Sequence, residues 1–185
     1  MRDGRIGDVR LVEASFCFNA PFRAEHRLFN PALAGGALYD VGVYVIEFAT
    51  GILAENPVQA EAVCHRCETG VDDFTALSLR FDSGALASLS CGMTGDSSTD
   101  ARITGGEGGI VVYDFYQTKK CELFDRNRQL VETYEGGFED GFLYQIEHFA
   151  NLVREGKLES PLIPLCDSIA CADLFDAVRV RLDLP

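Results

Sequence analysis

One carboxylate and one phenol stand four residues apart in an otherwise apolar stretch of the chain. Asp40 and Tyr44 lie in the segment GGALYDVGVY, residues 35–44, whose composition predicts a helix after the glycine pair. At about 100° per residue, positions i and i+4 of a helix share a face, so the two side chains can touch. Because a buried polar group without a partner is costly, such a pair favours a role in binding or in proton transfer.

Two interpretations of Tyr44 are open from spacing alone. A phenol stays protonated at neutral pH and can donate its proton to an alkoxide or carbonyl oxygen, with Asp40 orienting it. Alternatively, Tyr44 is a core tyrosine whose hydroxyl simply meets Asp40. The loop before the helix adds Arg27 and Asn30. Arg27 could contact a sugar hydroxyl or a cofactor phosphate, or it could be a solvated loop arginine.

The elements around these residues form an α+β pattern. Alternating apolar residues predict a strand over 8–19, and a long loop leads from it to a helix over 36–50 that Gly51 would end. Short strands with turn signals between them follow from residue 58 to residue 134. We therefore expect a large, mostly antiparallel β-sheet.

The last third of the chain is predicted to be helical. Apolar residues recur at helical spacing over 142–153, and Asp167 and Ser168 are candidate N-caps of a final helix. Strands followed by helices indicate a sheet with helices packed on one face and its other face open.

Composition narrows the classes of partner. The formal net charge is −13, which argues against nucleic acid and anionic membranes as partners. No apolar run reaches the length needed to cross a bilayer, and no apolar segment follows the charged N-terminus, so a cytoplasmic protein is expected. The seven cysteines include Cys64 and Cys67 in a C-x-x-C pattern. No second pair of ligands accompanies them, so no metal site is expected.

Glycines at 105, 106, 108 and 109 superficially suggest a dinucleotide-binding loop. Predicted strands flank them on both sides, and no helix follows. A glycine-rich hairpin is therefore the favoured interpretation, and the chain shows no strand-G-x-G-x-x-G-helix unit.

The segment 35–44 resembles the G-G-A-L-x-D-x-G-x-[HY] signature of the Gfo/Idh/MocA oxidoreductases. The upstream sequence Arg27-Leu28-Phe29-Asn30-Pro31 is similar to the branch that includes dimeric dihydrodiol dehydrogenase and glucose–fructose oxidoreductase. Residues 4–9 resemble that family's entry into its second domain, and residues 156–161 with 167–169 resemble its C-terminal helices. The resemblance covers nearly all 185 residues.

This resemblance implies that residues 1–185 are a C-terminal substrate-binding and oligomerisation domain, without the family's N-terminal Rossmann domain. It implies that Tyr44 is the catalytic acid or base, that Asp40 positions it, and that Arg27 and Asn30 face the substrate. NAD or NADP would serve the full-length protein, but no tight binding to this chain is expected. A homodimer through the open sheet face is also implied, with a secondary alcohol of a sugar, cyclitol or diol as substrate.

Two other functions are compatible with the same residues. The chain could be a non-enzymatic sugar-binding or dimerising module that lacks a cofactor domain. More weakly, it could be a cofactor-free isomerase or lyase that uses Tyr44 and Asp40. Which substrate is bound, and whether NAD or NADP is used, is not fixed by these residues.

Overall fold

A single eight-stranded sheet forms the centre of the fold. The computed structural model describes residues 4–138 and 140–185. The strands are β1 (Val9–Cys17), β2 (Gln59–Arg66), β3 (Asp72–Arg80), β4 (Leu86–Gly92), β5 (Ala101–Gly105), β6 (Gly108–Tyr113), β7 (Lys120–Asp125) and β8 (Leu130–Glu135). Their order in the sheet is β2-β3-β4-β1-β5-β6-β7-β8. All neighbouring strands are antiparallel except β1 and β4, which are parallel. The predicted α+β class with a mostly antiparallel sheet is confirmed.

Three α-helices accompany the sheet, namely α1 (Val43–Leu53), α2 (Phe142–Arg154) and α3 (Leu165–Arg181). One turn of π-helix, Leu38–Gly42, runs directly into α1. The predicted end of this helix at Gly51 is wrong, because the helix continues to Leu53 and Ala54 adopts the left-handed conformation that terminates it.

The predicted N-caps of the last helix are also wrong. The helix α3 begins at Leu165, so Asp167 and Ser168 lie inside its first turn. The Leu165 backbone N–H donates instead to the Glu159 carboxylate at 2.9 Å. This cap comes from six residues upstream, which a search for an adjacent cap residue does not detect.

The core lies between the sheet and α1. Val45, Ile46 and Ala49 of α1 are buried in one apolar cluster with Val12 of β1 and Leu89 of β4. The helical stretch Pro31–Leu53, which contains α1, is long and apolar enough to span a membrane by composition. This corrects the expectation that no run reaches that length. Its packing against β1 and β4 accounts for the apolar composition, because a helix on a sheet buries one face in the core.

The opposite face of the sheet, which α1 and α3 do not cover, exposes Val63 and Leu86. The aromatic side chains at the end of β6 and just after it divide between the two faces. Tyr113 follows the core residue Val112 and so points to the open face, where its hydroxyl donates to Glu122 at 2.6 Å. Phe115 and Tyr116 leave the sheet in a short 3-10 helix and pack on the helix side.

The glycine-rich segment is a hairpin, as predicted. It joins β5 to β6, and Gly105 approaches the Ile6 carbonyl so closely that any side chain there would overlap it. Close backbone packing therefore explains at least one of these glycines.

Candidate active site

The Tyr44 side chain lies at the start of α1 and is 47% exposed. Its ring meets the Phe16 ring edge-on, with centroids 5.1 Å apart. Tyr44 is therefore a surface residue that is held by its ring, and the alternative of a fully buried core tyrosine is wrong. The exposure leaves the hydroxyl within reach of a bound molecule.

Phe16, Tyr44, Phe115 and Tyr116 form an aromatic cluster on the helix side of the sheet. Phe16 comes from β1 and stacks on Tyr116 at 4.7 Å between centroids. Tyr116 also meets Tyr44 at 6.4 Å in a near-perpendicular arrangement. Edge-to-face and stacked geometries of this kind fix ring orientation. The cluster therefore holds Tyr44 and presents an apolar wall beside its hydroxyl.

Asp40 lies in the π-helical turn and pairs with Arg27. The Arg27 guanidinium donates to Oδ1 of Asp40 at 2.5 Å. The Asp40 side chain is 18% exposed and that of Arg27 is 65% exposed. The pair supplies the partner that a half-buried carboxylate needs. It also brings the loop of residues 20–34 onto the helix that carries Tyr44.

The anticipated contact between Asp40 and Tyr44 is not made through a hydrogen bond in the part of the chain that the structure describes. The Asp40 carboxylate is directed to Arg27 instead. Single π-helical turns occur often at functional sites, because they change the direction of side chains relative to a regular helix. Asp40 and Tyr44 therefore share a helix without sharing a proton in this conformation.

Asn30 has a local structural role. Its side-chain carbonyl accepts a hydrogen bond from the Ala32 backbone N–H at 2.9 Å, and it caps the 3-10 helix Pro31–Leu33. The Asn30 backbone carbonyl also accepts from Leu33 and from Gly35, each at 3.0 Å. Asn30 thus shapes the loop that places Arg27 against Asp40.

A buried carboxylate from another element caps the helix of Asp40 and Tyr44. Asp72, at the start of β3, is 3% exposed. Its Oδ2 accepts from the Leu38 backbone N–H at 2.8 Å and from the Thr75 hydroxyl at 2.6 Å. Burial raises the pKa of the Asp72 carboxyl above its ordinary value, and these hydrogen bonds oppose that shift only in part.

Asp72 also explains the glycine pair. Gly36 has a φ of +129°, and a side chain at this position would overlap Oδ1 of Asp72. A Cβ atom on Gly35 would stand 2.8 Å from the Leu28 carbonyl oxygen and from the Asn30 nitrogen. The two glycines therefore let the loop, the helix start and the capping carboxylate meet at one point.

Sequence reasoning missed three residues of this region, namely Asp72, Phe16 and Tyr116. A sequence pattern could have identified Asp72, because Val71-Asp72-Asp73 places two adjacent carboxylates at the start of an apolar strand. No sequence pattern identifies Phe16 and Tyr116 as neighbours, since only the pairing of strands brings these residues, 100 positions apart, together.

Neither a nucleotide cradle nor a metal cluster is found in the described residues. The glycine-rich segment is a hairpin between strands and not the start of a helix, so it does not offer the N–H groups that hold a pyrophosphate. No group of three or more His, Cys, Asp and Glu side chains able to hold a metal is found within residues 4–138 and 140–185. The segment 105–109 therefore does not fit the pyrophosphate of a dinucleotide.

Comparisons with known proteins show which family this chain belongs to. Residues 1–111 match the model of the GFO/IDH/MocA C-terminal domain. Trans-1,2-dihydrobenzene-1,2-diol dehydrogenase from Bos taurus is 29% identical over 192 residues, which cover 100% of this chain and 57% of that protein. The enzyme of the same name from Danio rerio is 30% identical over 190 residues, covering 94% of this chain and 54% of that protein.

Solved structures of related proteins share the fold of this chain. A 3-ketoreductase from Actinomadura kijaniata, in complex with NADP and TDP-benzene, superposes with a TM-score of 0.82 at 27% identity. The match covers 97% of this chain and 55% of that chain. Aldose-aldose oxidoreductase from Caulobacter crescentus shares the fold, with a TM-score of 0.81 at 24% identity over 96% of this chain and 54% of that chain.

This chain therefore spans about half the length of the relatives that it matches. The family match covers more than half of the chain and includes the segment that carries Asp40 and Tyr44. The chain belongs to the GFO/IDH/MocA C-terminal domain family.

Proposed function

We propose that this chain is the substrate-binding and dimerisation domain of a cytoplasmic, NAD(P)-dependent oxidoreductase. Its substrate is a secondary alcohol of a sugar, cyclitol or diol. The observation that carries the proposal is the exposed Tyr44 side chain, which belongs both to the aromatic cluster and to the helix that Arg27 and Asp72 anchor. The family match and the similarity to a diol dehydrogenase and a ketoreductase support the reaction class.

Tyr44 is the proton-transfer residue in this proposal. When an alcohol is oxidised, its hydroxyl proton must leave, and in the reverse reaction the carbonyl oxygen must receive one. A phenol that is fixed by its ring and open at its hydroxyl can do both. Phe16 and Tyr116 hold the ring in place, which keeps the hydroxyl position constant from one turnover to the next.

Arg27 and Asp40 have supporting roles. Arg27 neutralises Asp40 and still exposes most of its guanidinium, so its remaining N–H groups can contact a substrate hydroxyl. Asp40 keeps Arg27 over the helix and so positions the loop relative to Tyr44. Asn30 is proposed as a neighbouring substrate contact, through the part of its side chain that the Ala32 cap does not use.

NAD or NADP belongs to the proposal as the hydride carrier of the whole protein. The described residues hold no dinucleotide cradle, so we expect the cofactor to be bound by a preceding half and not tightly by this chain. Dimerisation is proposed through the open sheet face, where Val63 is 70% exposed and Leu86 is 48% exposed. Exposed apolar side chains on one sheet face are typical of an interface.

The direct test is an activity screen of the full gene product. Polyols, aldoses, cyclitols and trans-diols are each offered with NAD and with NADP, and formation of reduced nicotinamide is followed by absorbance. We expect turnover with at least one secondary alcohol. Absence of turnover in both directions, with ketose and diketone substrates included for the reduction, would contradict the proposal. The 185-residue chain is the negative control.

A further inference from the structure

The loop that follows β1 contains a turn with two nitrogen-bearing side chains. The His26 backbone N–H donates to the Arg23 carbonyl at 3.0 Å, which closes the turn 23–26. The Phe22 ring meets the buried Phe29 ring edge-on at 5.0 Å, and the Phe29 N–H donates to the His26 carbonyl at 2.9 Å. The turn is therefore anchored on both sides, although its own side chains are exposed.

A surface cavity of about 300 Å³ lies against this turn. Its lining consists of Arg23 and His26 together with Ala20 and Pro21. The cavity thus combines a small apolar wall with nitrogen-bearing side chains. Glu25, the carboxylate of the turn, is not among the residues that line it. A group bound in this cavity therefore meets donors without a negative charge in the lining.

Both nitrogen-bearing side chains offer hydrogen-bond donors. Nδ1 of His26 accepts from the Leu28 backbone N–H at 3.3 Å, so the hydrogen of the neutral ring is on Nε2 and remains available to a ligand. An arginine carries five N–H donors and no acceptor. Within residues 4–138 and 140–185, no carboxylate forms an ion pair with Arg23 or His26. Donors of this kind favour an anionic acceptor, because charge-assisted hydrogen bonds are the strong ones.

The charge of this loop contrasts with the charge of the whole chain. A formal net charge of −13 repels anions at long range. The loop nevertheless carries Arg23 and Arg27 four positions apart, and Arg27 is 65% exposed even in its ion pair with Asp40. These two cations therefore supply the local attraction that an anionic ligand needs on an acidic protein.

The cavity lies within reach of Tyr44. After β1 ends, the chain stays beside β4, because the N–H groups of Phe18 and Ala20 donate to carbonyls at and just after the end of β4. Phe16 and Ala20 both pack against the core, so they share a face of the sheet. At about 3.3 Å per residue, Ala20 is about 13 Å from Phe16, whose ring contacts Tyr44. An extended sugar phosphate or sugar acid, together with the reach of an arginine side chain, spans that distance.

We propose that Arg23 and His26 bind an anionic group of the substrate, a phosphate or a carboxylate, while Tyr44 acts on its alcohol. The substrate is then a sugar or polyol that carries an acidic group. This inference rests on the proposed function, since it extends the site of Tyr44. Charge-assisted hydrogen bonds to the anion fix one end of the substrate, which orients the hydroxyl at its other end.

Calorimetric titration with inorganic phosphate tests the anion site without turnover. The full gene product is titrated at constant ionic strength and in the absence of dinucleotide. We expect saturable binding in the wild type and a dissociation constant at least about tenfold higher for Arg23→Gln, because a hydrogen bond to a charged group is lost. The control Lys157→Gln, which removes an exposed cation outside the loop, should bind phosphate as the wild type does. Absence of saturable binding, or equal binding by Arg23→Gln, would overturn the proposal.

Steady-state kinetics of the full gene product identify the molecule that carries the anion. Sorbitol with sorbitol 6-phosphate, and galactose with galacturonate, are pairs whose members differ in the acidic group. In at least one pair, kcat/KM should be at least about tenfold higher for the anionic member, and Arg23→Gln should remove this preference. Equal kcat/KM within both pairs contradicts the proposal.

The dinucleotide is the other possible source of a phosphate. If Arg23→Gln raises the KM of NAD or NADP and leaves the preference for the anionic alcohol intact, the loop binds the cofactor and the proposal is overturned. If no member of either pair is oxidised, the proposed reaction fails for these alcohols. The calorimetric result then decides separately whether the anion site exists.

Discussion

Asp72 offers the sharpest test of how the site is built. Replacing it by Ala removes the acceptor for two buried donors, the Leu38 N–H and the Thr75 hydroxyl. Hydrogen bonds to a charged group contribute about 1.5–3 kcal/mol each, and part of that is offset by the cost of burying the carboxylate. We therefore expect Asp72→Ala to lower the free energy of unfolding by about 2–4 kcal/mol, which exceeds the usual loss of a helix cap.

Asp72→Asn separates charge from hydrogen bonding. Its carbonyl oxygen can take the place of Oδ2 and keep both donors satisfied. Because burial raises the folded-state pKa of Asp72 above 3.8, the folded protein binds more protons at this site than the unfolded chain does. The Asp72 contribution to stability is therefore complete below pH 3.8 and falls as pH rises through the raised pKa. The Asn variant lacks this dependence.

The assay is urea unfolding of the 185-residue chain at a series of pH values, followed by circular dichroism. The difference in unfolding free energy, wild type minus Asp72→Asn, should decrease as pH rises from about 4 to 7. Asp82→Asn, at an exposed turn, controls for general charge effects. A difference that stays constant with pH, or an Asp72→Ala variant that loses less than about 0.5 kcal/mol, would refute the capping role.

Three further predictions follow from the same geometry. Gly36→Ala should lower the free energy of unfolding by at least about 2 kcal/mol, because the new methyl group overlaps Asp72. Gly51→Ala, which has open space around it inside α1, should raise the free energy of unfolding by about 0.5–1 kcal/mol. Urea unfolding measures both changes. Val63→Glu should convert the proposed dimer to a monomer in light scattering, and Leu158→Glu, in a fully exposed loop, should not; an unchanged mass would argue against the open face. Phe16→Ala should raise KM of the full product about tenfold through loss of the aromatic wall, as steady-state kinetics would show.

Local patterns were sufficient for the elements but not for their assembly. The alternation in residues 8–19 and the helical spacing in 142–153 each predicted an element close to its observed bounds, β1 and α2. Such patterns reflect one buried face and need no knowledge of the partner. The parallel pairing of β1 with β4 could not be predicted in the same way, because it joins segments about 75 residues apart.

In the candidate site, too, the sequence identified individual residues but not the contacts between them. Tyr44, Asp40 and Arg27 were singled out from one short region, and the structure brings Arg27 and Asp40 together. The partner that sequence spacing suggested for Asp40 was Tyr44, and the observed partner is Arg27. Residue spacing predicts which face of a helix a side chain lies on. It does not predict the partner of the Asp40 carboxylate, because that partner comes from a loop whose path the sequence pattern does not determine.

The role of Tyr44 in proton transfer is the central claim, and one ratio tests it most directly. Tyr44→Phe and Tyr116→Phe each remove one hydroxyl from a partly exposed tyrosine of the same aromatic cluster and keep the ring. In the full gene product, kcat for alcohol oxidation should fall about 10²–10⁴-fold for Tyr44→Phe and less than about threefold for Tyr116→Phe. If Tyr44→Phe also loses less than about threefold, Tyr44 is not the acid or base of the reaction.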